Sequence, residues 1–385
     1  MRILMAGPNR ALAMWRPITW AVQHGHTVWV VEESQGALHS SSLAANQSLA
    51  VPIAPLEVTA TNPASRTAEP TRQVQALADD FQPDLIHAHY LTAASVWCTD
   101  TGRHPLIVSA WGALNALLAE TGPASLSATT RRTLHTADAV IVESPALVTA
   151  CRPLISPSAR VELIPLGADM QRFRPDLTTA RASWRKALRI PDAAVALLSP
   201  RGWGRLYHHE QIVEAVALAR PRLHRPVVLL FTKLGRSGAS GEAEACIAQV
   251  EQQAAALGIT ELLRWTPPVA YELMPSLYAL ADVVINYPAV DAFPSTLVEA
   301  AACARPIVTA QLPGYRDTFV EEYCTLVPPQ QPAALADALV EVVNQPPTAR
   351  AARLHAARQF VAAHHDEAIA RARLMQLYAE MAAHA

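Results

Sequence analysis

No charge of one sign dominates this chain. Its 385 residues carry 31 Lys and Arg against 33 Asp and Glu, a formal net charge of −2, and only 17% of residues are charged. Bulk electrostatics therefore give no ground for a nucleic-acid partner or for strong attraction to an anionic membrane. Cysteine is sparse: Cys98, Cys151, Cys246, Cys303 and Cys324 stand apart, without Cys-x-x-Cys or zinc-type Cys/His spacing. That excludes a disulfide framework and leaves small buried thiols in a reducing cytosol as the expectation. Long apolar runs are missing, and none reaches the length of a membrane span. The opening Met1-Arg-Ile-Leu-Met-Ala-Gly-Pro-Asn-Arg10 turns polar too soon for a signal peptide, so the expected location is the cytoplasm. No G-x-G-x-x-G follows the first strand, which argues against NAD(P) or FAD as a cofactor.

What is present is enough apolar material, 51% of the chain, for two full cores. Short β-branched runs alternate with helical stretches, the pattern of an α/β protein built from Rossmann-like units. The organising stretch is Asp291-Ala-Phe-Pro-Ser-Thr-Leu-Val-Glu299. The run 281–288 before it and 305–310 after it read as buried parallel strands. Between them a helix is expected, with Pro294 in its first turn and Ser295 or Thr296 capping its free amides. This places an acid in the loop, open N–H groups at the helix start and a second acid one turn further in. Such a helix start suits a phosphate, and the inner carboxylate suits a ribose diol. On spacing alone, an ordinary solvated helix start accounts for the stretch equally well.

Two acids separated by seven residues, a Phe two after the first, and a small-residue run ending in Arg-Pro resemble the nucleotide-sugar site of the family 4 retaining glycosyltransferases. The stretch Pro165-Leu-Gly-Ala-Asp169-Met-Gln-Arg-Phe173-Arg-Pro175 is similar to the family's linker motif. Here Gly167 allows an unusual backbone angle and Phe173 anchors the chain. The resemblance implies the GT-B architecture: two Rossmann-like domains facing each other across a deep cleft, with the C-terminal helix crossing back to the first. It implies an acceptor-side domain over 1–178, joined by helix 366–385, and a nucleotide-sugar domain over 179–365. It implies an enzyme of the hexosyltransferase type. A nucleotide diphosphate-sugar, UDP- or GDP-type, would be the donor and a hydroxyl compound the acceptor, with no metal. Loose peripheral membrane contact is compatible with it.

The remaining candidates follow the chain. Gly7 stands where the family has a glycine pair touching the donor phosphates, and Asn9 and Arg10 follow it on the acceptor side or cap the loop. Residues 40–75 read as variable and partly irregular, with a strand near 49–53. In the strand 84–89, His87 and His89 alternate with apolar residues and line or support the cleft, and the family often carries a catalytic-site His there, matching His89. Trp111-Gly-Ala-Leu-Asn115 stands where the family has an Asp after the glycine, so Trp111 and Asn115 are acceptor-side candidates. The family's Arg and Lys clamp on the diphosphate is incomplete. Counted back from Glu214-Ala215, Arg201 takes the Arg place and Tyr207 or His208 that of Lys; counted from Gly204, Arg205 is the Arg and no Lys follows. Lys233 or Arg236 could supply the lacking cation. Asp291 stands for the usual Glu and Pro294 for the usual Gly, with Phe293, Ser295 and Thr296 beside the donor. In this reading Asp291 contacts the sugar hydroxyls and Glu299 the ribose. The alternatives are an epimerase or phosphorylase of the same architecture, and a catalytically degenerate binding or scaffold protein.

Overall fold

The computed structural model describes residues 1–8, 12–33, 53–56, 65–112, 114–119, 122–232 and 241–383. They form two compact units, Met1–Leu166 with Ala368–Ala385, and Gly167–Glu367. The division falls at Gly167, ahead of the residue 178 expected from sequence. Phe173 explains this, because its ring is buried in the core of the second unit. Gly167 takes φ +69°, and a Cβ there would come within 2.5 Å of the His365 carbonyl oxygen, so neither its backbone angle nor its space admits a side chain. Beside it, Ala168 and Asp366 form an isolated parallel bridge.

The first unit holds a parallel sheet of β1 (Arg2–Gly7), β2 (Thr27–Glu33), β3 (Ile53–Leu56), β4 (Leu85–His89), β5 (Leu106–Ser109), β6 (Ala139–Val142) and β7 (Arg160–Leu163). Their order in space is β3-β2-β1-β4-β5-β6-β7. The second holds β8 (Val195–Ser199), β9 (Val227–Thr232), β10 (Leu263–Thr266), β11 (Val283–Asn286), β12 (Ile307–Ala310) and β13 (Thr325–Val327), ordered β10-β9-β8-β11-β12-β13. β1, β5, β6, β8, β9, β11 and β12 are near-continuous apolar runs because helices cover both faces of a parallel sheet. Each fully buried Ile, Leu or Val in them contributes about 1.5–3 kcal/mol. The last helix, Glu367–Ala383, packs Leu374, Met375, Leu377, Tyr378 and Met381 into the core of the first unit.

Both sheets reverse their strand order once, between β1 and β4 and between β8 and β11. In open α/β sheets the crevice at the carboxyl ends of those two strands is where ligands bind. Gly7 and His89 end the first pair, and Arg201 and the 287–294 loop follow the second.

Among the described residues, four helices went unread in the sequence, the short Phe319–Tyr323 among them. Ser65–Phe81 begins inside the stretch expected to be irregular, and its Pro70 and polar residues disguised it. Ala128–Thr136 and Pro347–His364 are the other two. Most of 40–64 lies outside the described residues; within it β3 starts at Ile53, at the end of the strand expected near 49–53. Among the described residues, no helix is long and apolar enough to cross a membrane.

Candidate functional site

The loop that leaves β8, Pro200-Arg-Gly-Trp-Gly-Arg-Leu-Tyr207, is pinned by its tryptophan. Trp203 is buried, its indole N–H donates to the Thr232 carbonyl at 2.8 Å, and its ring stacks on His209 at 4.3 Å. That anchor sets Arg201 at the end of β8. The Arg201 Nη2 atom lies 3.2 Å from Asp291 Oδ2, its Nη1 donates to Thr296 Oγ1 at 3.3 Å, and its guanidinium carbon sits 4.5 Å from the centre of the Tyr207 ring. Burial works against the charged guanidinium, but the Asp291 carboxylate and Tyr207 outweigh it, so its pKa is raised. The same buried charge disfavours protonation of its neighbour: burial first, and Arg201 second, lower His209 to about 3.

Asp291 is fixed by its own loop. Its Oδ1 accepts the Ala292 N–H at 3.0 Å, and Gly314 presses against it from the loop after β12. A Cβ on Gly314 would lie 2.2 Å from the Asp291 carbonyl oxygen. Tyr315 follows, buried, with its hydroxyl accepting from Asn286 Nδ2 at 3.0 Å; burial, and then the Asp291 charge, hold its pKa well above the usual phenol value. The helix Ser295–Ala302 begins one residue later than expected, with Pro294 as the residue that precedes it in extended conformation. Neither Ser295 nor Thr296 caps the helix start; Thr296 uses its hydroxyl on Arg201 instead. Glu299, one turn in, is buried, and its Oε2 accepts from the Tyr278 hydroxyl at 2.8 Å. Arg201, Asp291, Thr296 and Tyr207 are thus one contact group, and Glu299 lies on the helix that carries Thr296.

Other sequence candidates in this unit fall elsewhere. Phe293 packs into the core, its ring 5.0 Å from His365 and edge-on to Phe319 at 5.7 Å, so its bulk shapes the loop from beneath. Arg205 is exposed, while its backbone N–H donates to Glu242 Oε1 at 3.1 Å. Of the two arginines, Arg201 is the one in contact with Asp291, Thr296 and Tyr207. Lys233 and Arg236 lie outside the described residues.

In the first unit, Gly7 abuts His89: a Cβ there would meet the His89 carbonyl oxygen at 2.9 Å. His89 is fully buried, its ring nitrogens meet no hydrogen-bond partner among the described residues, and burial lowers its pKa to about 3. His87, its neighbour at 4.0 Å between ring centres, is fully engaged. Its Nδ1 lies 2.5 Å from the Tyr378 hydroxyl and its Nε2 2.7 Å from Ser109 Oγ. His87 therefore supports, and His89 is the histidine at the strand reversal. Trp111 is buried and Asn115 opens a short 3₁₀ turn, Asn115–Leu118. Asn9 and Arg10 lie outside the described residues.

Two polar residues escaped the sequence reading. Glu143, buried at the carboxyl end of β6, accepts the Gly112 N–H at 2.8 Å and so fixes the loop carrying Trp111. An acid between an apolar strand and the Ser144-Pro145 helix start is the same signal that marked Asp291. Tyr278 had no such signal, since it sits inside the helix Met274–Leu280.

Two family models together cover most of the chain: Glycosyltransferase Family 4 matches residues 18–172, and Glycosyl transferases group 1 matches 181–359. The D-inositol 3-phosphate glycosyltransferase of Saccharomonospora viridis is 31% identical over 304 residues, 74% of this chain and 69% of that protein. The protein of the same name from Corynebacterium urealyticum is 28% identical over 273 residues, 68% of this chain. The chain thus spans less than two thirds, 63%, of the latter's length. Among solved structures, sucrose-phosphate synthase from Thermosynechococcus elongatus superposes with a TM-score of 0.79 over the full length of both chains at 19% identity. Anabaena HepE, solved with UDP and glucose, gives 0.79 over 99% of this chain and 100% of HepE at 18% identity. At such identities the likeness establishes the fold, that of two doubly wound α/β units.

Proposed function

The chain belongs to glycosyltransferase family 4, and from that premise we propose that it transfers a sugar, with retention, from a nucleotide diphosphate-sugar to an acceptor hydroxyl. The observation that carries this reading is the single contact group at the end of β8 and β11: a largely buried arginine held between an acid and a hydroxyl at a helix start. A UDP- or GDP-type donor suits it, and Anabaena HepE, of the same fold, was solved with UDP and glucose. The acceptor is a glycan, a lipid-linked sugar or a small-molecule glycoside; the named relatives act on an inositol phosphate.

The roles follow from charge. When the bond between the anomeric carbon and the diphosphate oxygen breaks, the electron pair goes to the diphosphate. Arg201 and the N-terminal amides of the helix Ser295–Ala302 stabilise that charge. Because protein groups carry it, the reading needs no metal ion. The acceptor oxygen bonds to the anomeric carbon on the same face, and its proton passes to the leaving phosphate. Asp291 orients the sugar hydroxyls and Glu299 accepts from the ribose diol. The five cysteines, all buried and unbridged, suit a reducing cytosol.

A thermal-shift panel of UDP-, GDP-, ADP- and TDP-sugars tests the reading. A ligand that binds the native state raises Tm. The expected result is one sugar nucleotide that stabilises the wild type and not Glu299→Ala, and whose sugar then appears on an acceptor. The missing lysine, whose place falls on Tyr207 or His208, favours the second reading of a binding protein. A Tm rise without turnover on any acceptor would select it.

A further inference from the structure

Glu299 does not stand alone. The Tyr278 hydroxyl donates to its Oε2 at 2.8 Å, and the tyrosine is wholly buried on the helix Met274–Leu280. Burying a hydroxyl is costly unless it is bonded, and phenylalanine would fill nearly the same volume without that cost. The hydroxyl therefore requires an account, and its bond to Glu299 supplies one. Burial, and then the Glu299 charge, keep the phenol protonated far above its usual range, so it acts as donor and the carboxylate as acceptor.

The Tyr278 ring is itself braced. Phe173 packs on it at 5.9 Å between ring centres and on Tyr271 at 5.7 Å. Phe173 is the aromatic residue of the 165–175 motif. Its backbone is fixed at both ends: its N–H donates to the Asp169 carbonyl at 2.8 Å, and its carbonyl accepts from Arg358 Nη1 at 2.9 Å. The same Arg358 nitrogen donates to the Ala302 carbonyl, at the end of the helix that carries Glu299. Motif, tyrosine and acid form one supported chain of contacts inside the second unit.

We propose that Tyr278, braced by Phe173, is the positioning residue that sets the Glu299 carboxylate for the donor ribose. This rests on the reading of Glu299 as the ribose acceptor. With the hydroxyl gone, the carboxylate loses a charge-assisted bond and the rotamer it fixes, so ribose recognition weakens while the leaving diphosphate is still held.

Ribose discrimination tests it directly. Calorimetry would measure the affinities of UDP against 2′-deoxy-UDP, and of GDP against 2′-deoxy-GDP, for wild type, Tyr278→Phe and Glu299→Gln. The wild type is expected to favour the ribose form about tenfold, the size of one hydrogen bond to a charged group. Tyr278→Phe should bring that ratio to within about threefold of unity, and in turnover the loss should fall on KM more than on kcat. Glu299→Gln should abolish the preference. If Tyr278→Phe keeps the full ratio while Glu299→Gln loses it, the positioning role is wrong and the ribose reading stands. If neither changes the ratio, the ribose reading fails and the positioning role falls with it. Phe173→Leu, which keeps the hydroxyl but loosens its ring, is the second probe should Tyr278→Phe not fold. It should narrow the ratio by a few-fold, and an unchanged ratio would overturn the proposal.

Discussion

Arg201 and Asp291 form a largely buried ion pair, 3.2 Å apart with side chains only 14% and 7% exposed, although they stand ninety positions apart in sequence. Two charges taken out of water this way hold each other, and removing one leaves the other uncompensated. Arg201→Met and Asp291→Leu should each lower stability by about 3 kcal/mol. The double variant should lose clearly less than the sum, because it leaves no stranded charge. Urea unfolding of the four proteins measures this; strict additivity would show that the pair is not coupled. In turnover, Arg201→Met should cost roughly a hundredfold or more in kcat, the usual loss for one group stabilising developing negative charge.

Gly314 supplies a second test of the same geometry. Since a Cβ there would lie 2.2 Å from the Asp291 carbonyl and 2.7 Å from the Ala292 Cα, the obstacle is backbone that no rotamer change can move. Gly314→Ala should shift the Asp291 loop, lowering kcat/KM about a hundredfold, as small misplacements in a reacting site do. A variant with wild-type kinetics would mean that the loop position does not matter to catalysis.

What the sequence made legible follows from what is local. Asp291, the helix start and Glu299 lie within nine residues, and the strand runs on either side frame them. The stretch 165–175 drew attention to Gly167 and Phe173 through its likeness to the family's linker motif. Contacts across the sheet were not legible. Arg201 could not be separated from Arg205 until the loop was seen pinned by Trp203, which turns one arginine inward to Asp291 and leaves the other exposed. Phe293, adjacent to the acid in sequence, gives its ring to the core because His365 and Phe319 approach from far along the chain. The helix Ala128–Thr136 had a readable cap, Ser127 accepting from the Thr130 N–H at 3.1 Å, but too weak an apolar stripe to draw notice.

Tyr207 separates stacking from hydrogen bonding. Its ring lies under the Arg201 guanidinium, and a cation–π contact at a partly desolvated site is worth about 1–2 kcal/mol. Tyr207→Phe keeps the ring and should retain most donor affinity. Tyr207→Ala frees the guanidinium and should weaken donor binding about tenfold, the equivalent of about 1.4 kcal/mol. Equal effects of the two substitutions would assign the role to the hydroxyl instead.

The buried histidines predict how stability depends on pH. His89 and His209 are lowered to about 3, and His365 to about 4, each mainly by burial. In the unfolded chain a histidine takes its proton near pH 6.5. Below that value the unfolded state binds protons that the native state refuses, so stability falls as pH drops, down to the folded values near 4 and 3. At neutral pH none of this penalty is present. Each such histidine contributes a slope of about 1.4 kcal/mol per pH unit in that window. His209 isolates one of them. His209→Leu keeps an apolar partner on Trp203, and whatever it changes in packing shifts the whole curve without altering its slope. Between pH 6 and 4.5, urea unfolding should show the variant losing stability less steeply than wild type by about that amount, the count of a single proton. Parallel curves would mean that His209 titrates normally in the folded protein, and that the charge of Arg201 beside it is screened by water.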